Sequence, residues 1–298
     1  MKTNPVYRRE MMVSARSLRM PLIITVFNSI LAIVALLNMY SNVMQVRLTA
    51  DVEYGSFLGI YEFVTVVEFI MLMFIMPAIT SGTISGERER QTLDLMLTTE
   101  MKTWEIVVGK LAAAFVNMFL VVVSSFPLVA VVFVYGGITG KDMLLMLICL
   151  VVSALFSGSL GICCSSLFKR STVSTVAAYA VLALTVVGTY GVNSFAYSMA
   201  RMDLGQSGYM MGMIGEQAAS SGGFLYTLLV NPSVTFLLIL QDQTATGTGI
   251  LEMYGNRGPS LVTDHWVAVS SGVQLALSAL FVFIAIKMVR KRGIGRNA

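Results

Sequence analysis

The sequence predicts an all-α integral membrane protein with six transmembrane helices, on three observations. Mean hydropathy is +0.78 and only 12% of the 298 residues are charged, too little polar side chain to cover a soluble domain of this size. Apolar runs of about 20 residues recur, each long enough at roughly 1.5 Å per residue to cross a hydrocarbon core of about 30 Å. The alternating segments of a membrane β-barrel do not appear, so helices, which pair their own backbone groups, are the spanning elements.

The expected spans are 20–41, 63–84, 109–135, 143–168, 173–195 and 265–288, within one transmembrane domain covering 1–298. Lys and Arg placement orients them. With the N-terminus inside, one side holds Lys2, Arg8, Arg9, Arg16, Arg19, Arg88, Arg90, Lys102, Lys110, Lys169, Arg170 and the group from Lys287 to Arg296, sixteen of the twenty basic residues. Both termini are therefore expected in the cytoplasm, in a multi-pass protein. The same bias accounts for a net charge of +4 and a pI near 9.0 and gives no sign of nucleic-acid binding.

Residues 1–19 predict an interfacial elbow helix beginning near Pro5, which suits a first helical turn. Val6, Met11 or Met12, Ala15 and Leu18 share a face, while Arg8, Arg9, Arg16 and Arg19 reach for lipid phosphates. The segment is either a topological anchor or also a contact for a cytoplasmic partner, and the two are compatible. The apolar run after Arg19 is too long for a signal-peptide core and lacks a small-residue cleavage site, so no cleavable signal is expected.

The fourth span carries Ser153, Ser157, Gly161 and Ser165 four residues apart, a stripe that lets helix backbones approach closely. Cys149, Cys163 and Cys164 lie in the same span, so no disulfide framework is implied. A short turn, "KRST" (169–172), then reverses the chain. The outer segment 196–264 contains "GFLYTLLVNPSVTFLLIL" (223–240), apolar enough for a seventh span. Counting it would move the basic C-terminus outside and place Pro232 mid-membrane, where it removes a helix bond. It is read instead as a broken or re-entrant hairpin, or an interfacial helix.

Glu68 lies within the second span, and an ionisable group there is a functional candidate by default, with a hydrogen-bonded structural role as the alternative. No G-x-x-x-x-G-K-[ST] phosphate loop is present; "GGITGKD" (136–142) has the wrong spacing, so the chain is not expected to hydrolyse ATP itself. His265 is the single histidine, which leaves no histidine cluster for zinc or a catalytic triad, and beside Trp266 it reads as a membrane-interface residue. Met199, Met202, Met210, Met211 and Met213 offer thioethers of the kind Cu(I) accepts, but methionine is equally an adaptable packing residue, and no metal site is assigned.

The densest charge cluster falls between two apolar runs, in "SGTISGERERQTLDLMLTTEMKTWEIVVGK" (81–110). Ser85 can cap a helix starting at Gly86, with Glu87 and Glu89 in its first turns favouring the positive dipole end. Arg90 and Asp94 are four apart, and Leu93, Met96 and Leu97 form an apolar face. The helix is expected to end near Thr98-Thr99, with Thr103 capping the next from Trp104. A short amphipathic cytoplasmic helix follows from this pattern.

This stretch resembles the loop after the second span of type-2 ATP-binding-cassette (ABC) export permeases, from Ile84-Ser85-Gly86-Glu87-Arg88-Glu89 through Thr92-Leu93 to Glu105-Ile106-Val107 and Gly109-Lys110. The start at Asn4–Glu10 and the Asn231-Pro232 pair agree with it. Gln91 stands where the family often has Gly, which would stiffen the start of the helix. The resemblance implies the membrane subunit of a bacterial exporter in the cytoplasmic membrane. Separate ABC ATPase subunits would bind ATP and Mg, so this chain needs no cofactor of its own. A second permease copy or a sister permease would complete it, in contact with membrane lipid.

It further implies that 81–106 contains the coupling helix, with Glu87, Arg88, Glu89 and Arg90 as charged contacts to the ATPase and Thr92, Leu93 and Leu97 as a packed ridge. Arg8, Arg9 and Glu10 would form the second contact. Two other readings stay open: a secondary transporter or channel that uses Glu68, although paired broken spans and internal repeats are not evident, and a membrane scaffold or sensor that moves nothing. No residue pattern names the cargo.

Overall fold

The computed structural model describes residues 4–49, 55–93, 102–134, 138–211, 219–244 and 261–294, and among these there is no β-strand. The helices, in order, are α1 (Pro5–Arg16), α2 (Arg19–Thr49), α3 (Gly55–Ser81), α4 (Ser85–Glu89), α5 (Thr103–Val134), α6 (Gly140–Leu167) and α7 (Ser171–Ala183). A π turn (Leu184–Gly188) joins α7 to α8 (Thr189–Met211). A 3-10 helix (Gly222–Val230) then precedes α9 (Pro232–Thr244), α10 (Leu261–Asp264) and α11 (Trp266–Ile294). Among the described residues six helical stretches are long and apolar enough to cross a membrane, beginning at Met20, Leu58, Thr103, Gly140, Ser171 and Trp266.

These six coincide with the expected spans, but several helices outrun them. α3 begins at Gly55 and α5 at Thr103, and the helix that opens at Ser171 continues through the π turn to Met211, well into the segment assigned to an outer loop. An apolar run marks the stretch that lipid accepts, whereas a helix ends only where its backbone pairing ends. At the start of α5 the Glu105 carboxylate accepts from the Lys102 amide at 3.3 Å, so the helix opens at Thr103, one residue before the expected start at Trp104. Leu97, Asp94, Met96, Thr98-Thr99, Met213 and 245–260 of the outer segment lie outside the described residues.

The fold divides into two compact units, Met1–Ala178 with Ser278–Ala298, and Tyr179–Leu277. In the first, α3, α5 and α6 pack together. α6 is the most enclosed of these, with 61% of its apolar stretch buried against 11% for the stretch in α2. The small-residue stripe explains the close approach of α6 to α3. A Cβ at Gly161 would collide with Thr80 Oγ1 and lie 3.3 Å from Pro77 Cα, and one at Gly158 would lie 2.6 Å from Met76 Cε. Ser153, Ser157 and Ser165 are buried along the same line. Thr139 and Asp142 cap α6 reciprocally, and Cys149, Cys163 and Cys164 are free and buried within it.

α1 lies along α5. Asn4 caps α1 by accepting from the Val6 amide at 3.0 Å and donates to the Glu105 carbonyl at 2.6 Å. Gly109 leaves the space this needs, since a Cβ there would be 2.9 Å from the Asn4 amide nitrogen. Ser14 donates to Asn117 at 3.1 Å, and Val6 is buried. The expected apolar face is therefore only partly inward: Met12 and Leu18 are exposed, as are Arg8, Arg9 and Arg16.

In the second unit the 3-10 helix and α9 meet at 95° across Asn231. Pro232 is the first residue of α9, where its missing N–H costs nothing. Asn231 Oδ1 accepts from the Ser233 amide at 2.9 Å, while its Nδ2 donates to the Val186 carbonyl at 3.0 Å and to Thr189 Oγ1 at 2.8 Å. One side chain thus opens α9 and takes up a carbonyl of the wide π turn. Trp266 is buried with Leu225, Leu228 and Val234 as a core residue, while His265 beside it is exposed. Gln274 Nε2 donates to Thr235 and Ser270 at 3.0 Å each, a buried polar cluster with no signature in the sequence. A cleft of about 500 Å³ opens between α8 and the 3-10 helix, walled by Val192, Phe195, Met199 and Phe224.

Candidate functional site

The charged cluster of 81–110 is resolved into three attachments, two of them at helix ends. Helix ends leave backbone groups without intrahelical partners, and charged side chains are the strongest substitutes. α4 is only five residues long, and its own Ser85 does not cap it as expected: Ser85 Oγ donates back to the Ser81 carbonyl at 3.0 Å. The cap comes from α6 instead. Ser165 Oγ accepts the amides of Ile84 and Ser85, both at 2.9 Å.

α4 returns the service. Arg88 donates to the Phe168 carbonyl at 2.6 Å and to the Ser166 carbonyl at 3.3 Å, at the C-terminal end of α6, where a cation also complements the helix dipole. Glu89 accepts from the Ser171 amide at 3.0 Å and from its hydroxyl at 2.7 Å, at the N-terminal end of α7. The Ser171 hydroxyl first, then its amide, with smaller help from Arg170 and Arg90, hold the Glu89 carboxyl below the ordinary carboxylate range.

The third attachment is a buried ammonium. Lys110, near the start of α5 and 4% exposed, donates to Glu87 at 2.8 Å and to Glu10 of α1 at 3.0 Å. One lysine thus binds α1, α4 and α5. Glu87 Oε2 is buried and has no hydrogen-bond partner among the described residues. Leu93 is also turned inward, packed with Ile84, Val107, Ile162, Ala285 and Val289.

The expected continuous helix from Gly86 is broken. α4 ends at Glu89, Gln91 adopts φ 57°, and residues 92 and 93 are helical again. The left-handed region favours glycine, so the glycine of the resembling family marks a turn that ends a helix rather than a flexible helix start. Thr92 Oγ1 donates to the Glu87 carbonyl at 3.2 Å across the break. Glu89, Arg90, Gln91 and Thr92 remain exposed, as do Arg8 and Arg9 on α1. Of the residues expected to face a partner, the structure therefore engages Glu10, Glu87, Arg88 and Leu93 within the chain, and Glu89 and Thr92 in part.

Glu68, 5% exposed, accepts a hydrogen bond from the Ser125 hydroxyl of α5. It borders a cavity of about 20 Å³ together with Tyr61, Thr65, Phe126 and Met146. The residues missed by sequence reasoning are Ser165, whose place in a small-residue stripe signalled packing alone, Ser171, and the Lys110 junction. The closing Gly109-Lys110 of the motif was the available signal for the last.

The family model described as ABC-2 family transporter protein matches residues 14–287. The chain belongs to the ABC-2 transporter family. No curated protein matches it. As an ABC-2 permease it is the membrane subunit of an ABC transporter, a multi-pass membrane protein of a family that lacks its own ATPase domain and generally works with ABC ATPase partners.

Proposed function

We propose that this ABC-2 permease is the transmembrane subunit of an ATP-driven exporter of the bacterial cytoplasmic membrane, with both termini cytoplasmic, and that α4 and the residues after it form the coupling helix on which a separate ATPase docks. The observation that carries this reading is the exposed edge Glu89–Thr92, held out by a helix whose other side is fastened to α5, α6 and α7. A rigid support of this kind passes on displacement that a loose loop would absorb. Arg90 is the principal charged contact, with Glu89 and Thr92 beside it; Leu97, outside the described residues, is the further apolar contact that the sequence suggests. Glu87, Arg88 and Leu93 act from behind, by fixing the edge.

The outward Arg8 and Arg9 of α1, the interfacial elbow, form the second contact, while Glu10 ties that helix to Lys110. ATP and Mg reside in the ATPase, and this chain holds no cofactor. A second permease, identical or sister, covers part of the apolar surface left by α2, the rest facing lipid; Leu22, Ile33, Leu36 and Leu37 are exposed there. Residues 1–298 form one permease domain, and the bent pair at Asn231 is a re-entrant hairpin on the outer side. Ser153, Ser157 and Gly161 serve packing, Ser165 packs and also caps α4, and Glu68 has a hydrogen-bonded structural role within the span.

Affinity purification in mild detergent tests this: an ABC ATPase is expected to accompany the wild-type chain and to be lost with Arg90→Glu combined with Arg8→Glu and Arg9→Glu. An ATPase that stays bound to that variant sinks the docking assignment. Its absence from the wild type would favour a scaffold.

A further inference from the structure

Three helix ends meet beside α4, and each is completed by a side chain from another helix. The N-terminal amides of α4 are taken by Ser165 of α6 at 2.9 Å, the C-terminal carbonyls of α6 by Arg88 of α4, and the N-terminal amide of α7 by Glu89 of α4. α3 and α4 are joined through the chain itself, by bonds such as Ser85 Oγ to the Ser81 carbonyl at 3.0 Å. α6 and α7 have no such local link to α4, because Arg88 lies 80 positions from Phe168 and Glu89 lies 82 from Ser171. Their attachment depends on side chains: beside these caps stand the Ser85–Ser165 hydroxyl contact at 3.2 Å, the Ser81–Thr175 bond at 2.8 Å and the packing of Ile84 with Ile162.

We propose that Arg88 and Glu89 are positioning residues that, with Ser165, lock α4 to the α6–α7 turn as one rigid body, so that a load on α4 moves α6 and α7 together with α3. The inference rests on α4 receiving the ATPase, but it concerns different atoms: docking uses the exposed edge at Arg90, transmission the reciprocal caps behind it. The Arg88 and Glu89 caps are charge-assisted and so stronger than neutral hydrogen bonds. A bidentate contact at both ends of the turn also fixes orientation as well as distance. Without the Arg88 and Glu89 contacts, α4 remains joined to α3, buttressed by Lys110 and held to α6 by Ser165, while the turn itself at Phe168–Ser171 loses its two direct bonds to α4.

The lock is tested first on the full-length chain alone, with spin labels on the exposed positions of Gln91→Cys and Lys169→Cys. Pulsed electron resonance is expected to give one narrow distance, broadened in Arg88→Ala/Glu89→Ala and largely restored in Arg88→Lys/Glu89→Gln, which keeps a donor and an acceptor. A broad distribution in the parent, or a narrow one in the alanine pair, overturns the lock.

Transmission is read in the complex with the co-purified ATPase, from the accessibility of a label at Val176→Cys, an exposed position on α7 (66%), to a water-soluble relaxing agent. ATP with vanadate is expected to change it in the parent. In the alanine pair that change is expected to be lost, while the ATPase remains bound and hydrolyses ATP. An unchanged response in the alanine pair, or none in the parent, overturns transmission; loss of the ATPase from the alanine pair would make these residues docking contacts. If no ATPase accompanies the parent chain, the docking proposal fails, while the distance measurement still decides the lock.

Discussion

Lys110 Nζ lies 2.8 Å from Glu87 Oε1 in a site where the lysine side chain is 3% exposed and the glutamate 15%. Two carboxylates, Glu87 and Glu10, share this one buried cation, from 23 and 100 positions away in the chain. A buried pair is costly to break from one side, because the remaining charge keeps its desolvation penalty without its partner.

Lys110→Met is therefore expected to destabilise the chain by about 3 kcal/mol, the low end of what removing one member of a buried pair costs. Glu10→Gln, at the more exposed partner, is expected to cost less. Thermal unfolding in detergent checks the order. A Lys110→Met protein as stable as the parent contradicts the junction.

Glu89 gives a pH dependence whose sign is fixed. Its carboxyl titrates below the ordinary value of 4.5 because the charged form is bonded to Ser171. The bond therefore contributes at neutral pH and is lost as pH falls through the lowered value. Hydrogen exchange over the first turn of α7, expressed as protection against an unstructured peptide at the same pH, is expected to be high at neutral pH and lower at a pH below the lowered value. In Glu89→Gln the fall is expected to vanish. Equal protection at both pH values in the parent would remove Glu89 as the cap.

At Gln91 the backbone pays for a side chain. With φ at 57°, Gln91→Gly is expected to stabilise by about 0.5–1 kcal/mol and Gln91→Val to destabilise, since the left-handed conformation costs an L residue roughly 1–2 kcal/mol and glycine almost nothing. Melting temperatures of the two variants should move in opposite directions. A fall in both would mean that the glutamine side chain holds the turn.

The close approach of α6 to α3 predicts that Gly161→Ala destabilises by about 1–3 kcal/mol through overpacking. Its Cβ would strike Thr80 Oγ1. Thr80→Ala in the same chain is expected to recover part of the loss, so the two substitutions should be non-additive. Additive effects would show that the helices can separate at no cost.

The spans were legible because apolar length is a strong signal that lipid imposes on any helix crossing it. Their ends were not, because α5 and α8 continue through polar residues such as Glu105 and Arg201 that no apolar count includes. The charge cluster at 87–90 was legible as a place but not as a set of bonds. Glu89 and Arg88 find partners about 80 positions away, and a cap supplied from another helix leaves no local spacing to read. Ser165 shows the same limit: every fourth small residue reads as packing, while the bond from its hydroxyl depends on where α4 lies. Gln91 was misread for the opposite reason, since the glycine it replaces carried the message of a left-handed turn.

Site-directed photocrosslinking in native membranes tests the central claim most directly, with a benzophenone side chain placed at exposed Arg90 and, as a control, at Ser153, buried in α6. The account predicts that Arg90 captures an ABC ATPase and that Ser153 does not. Capture of the ATPase from α1 alone, with none at Arg90, would contradict it.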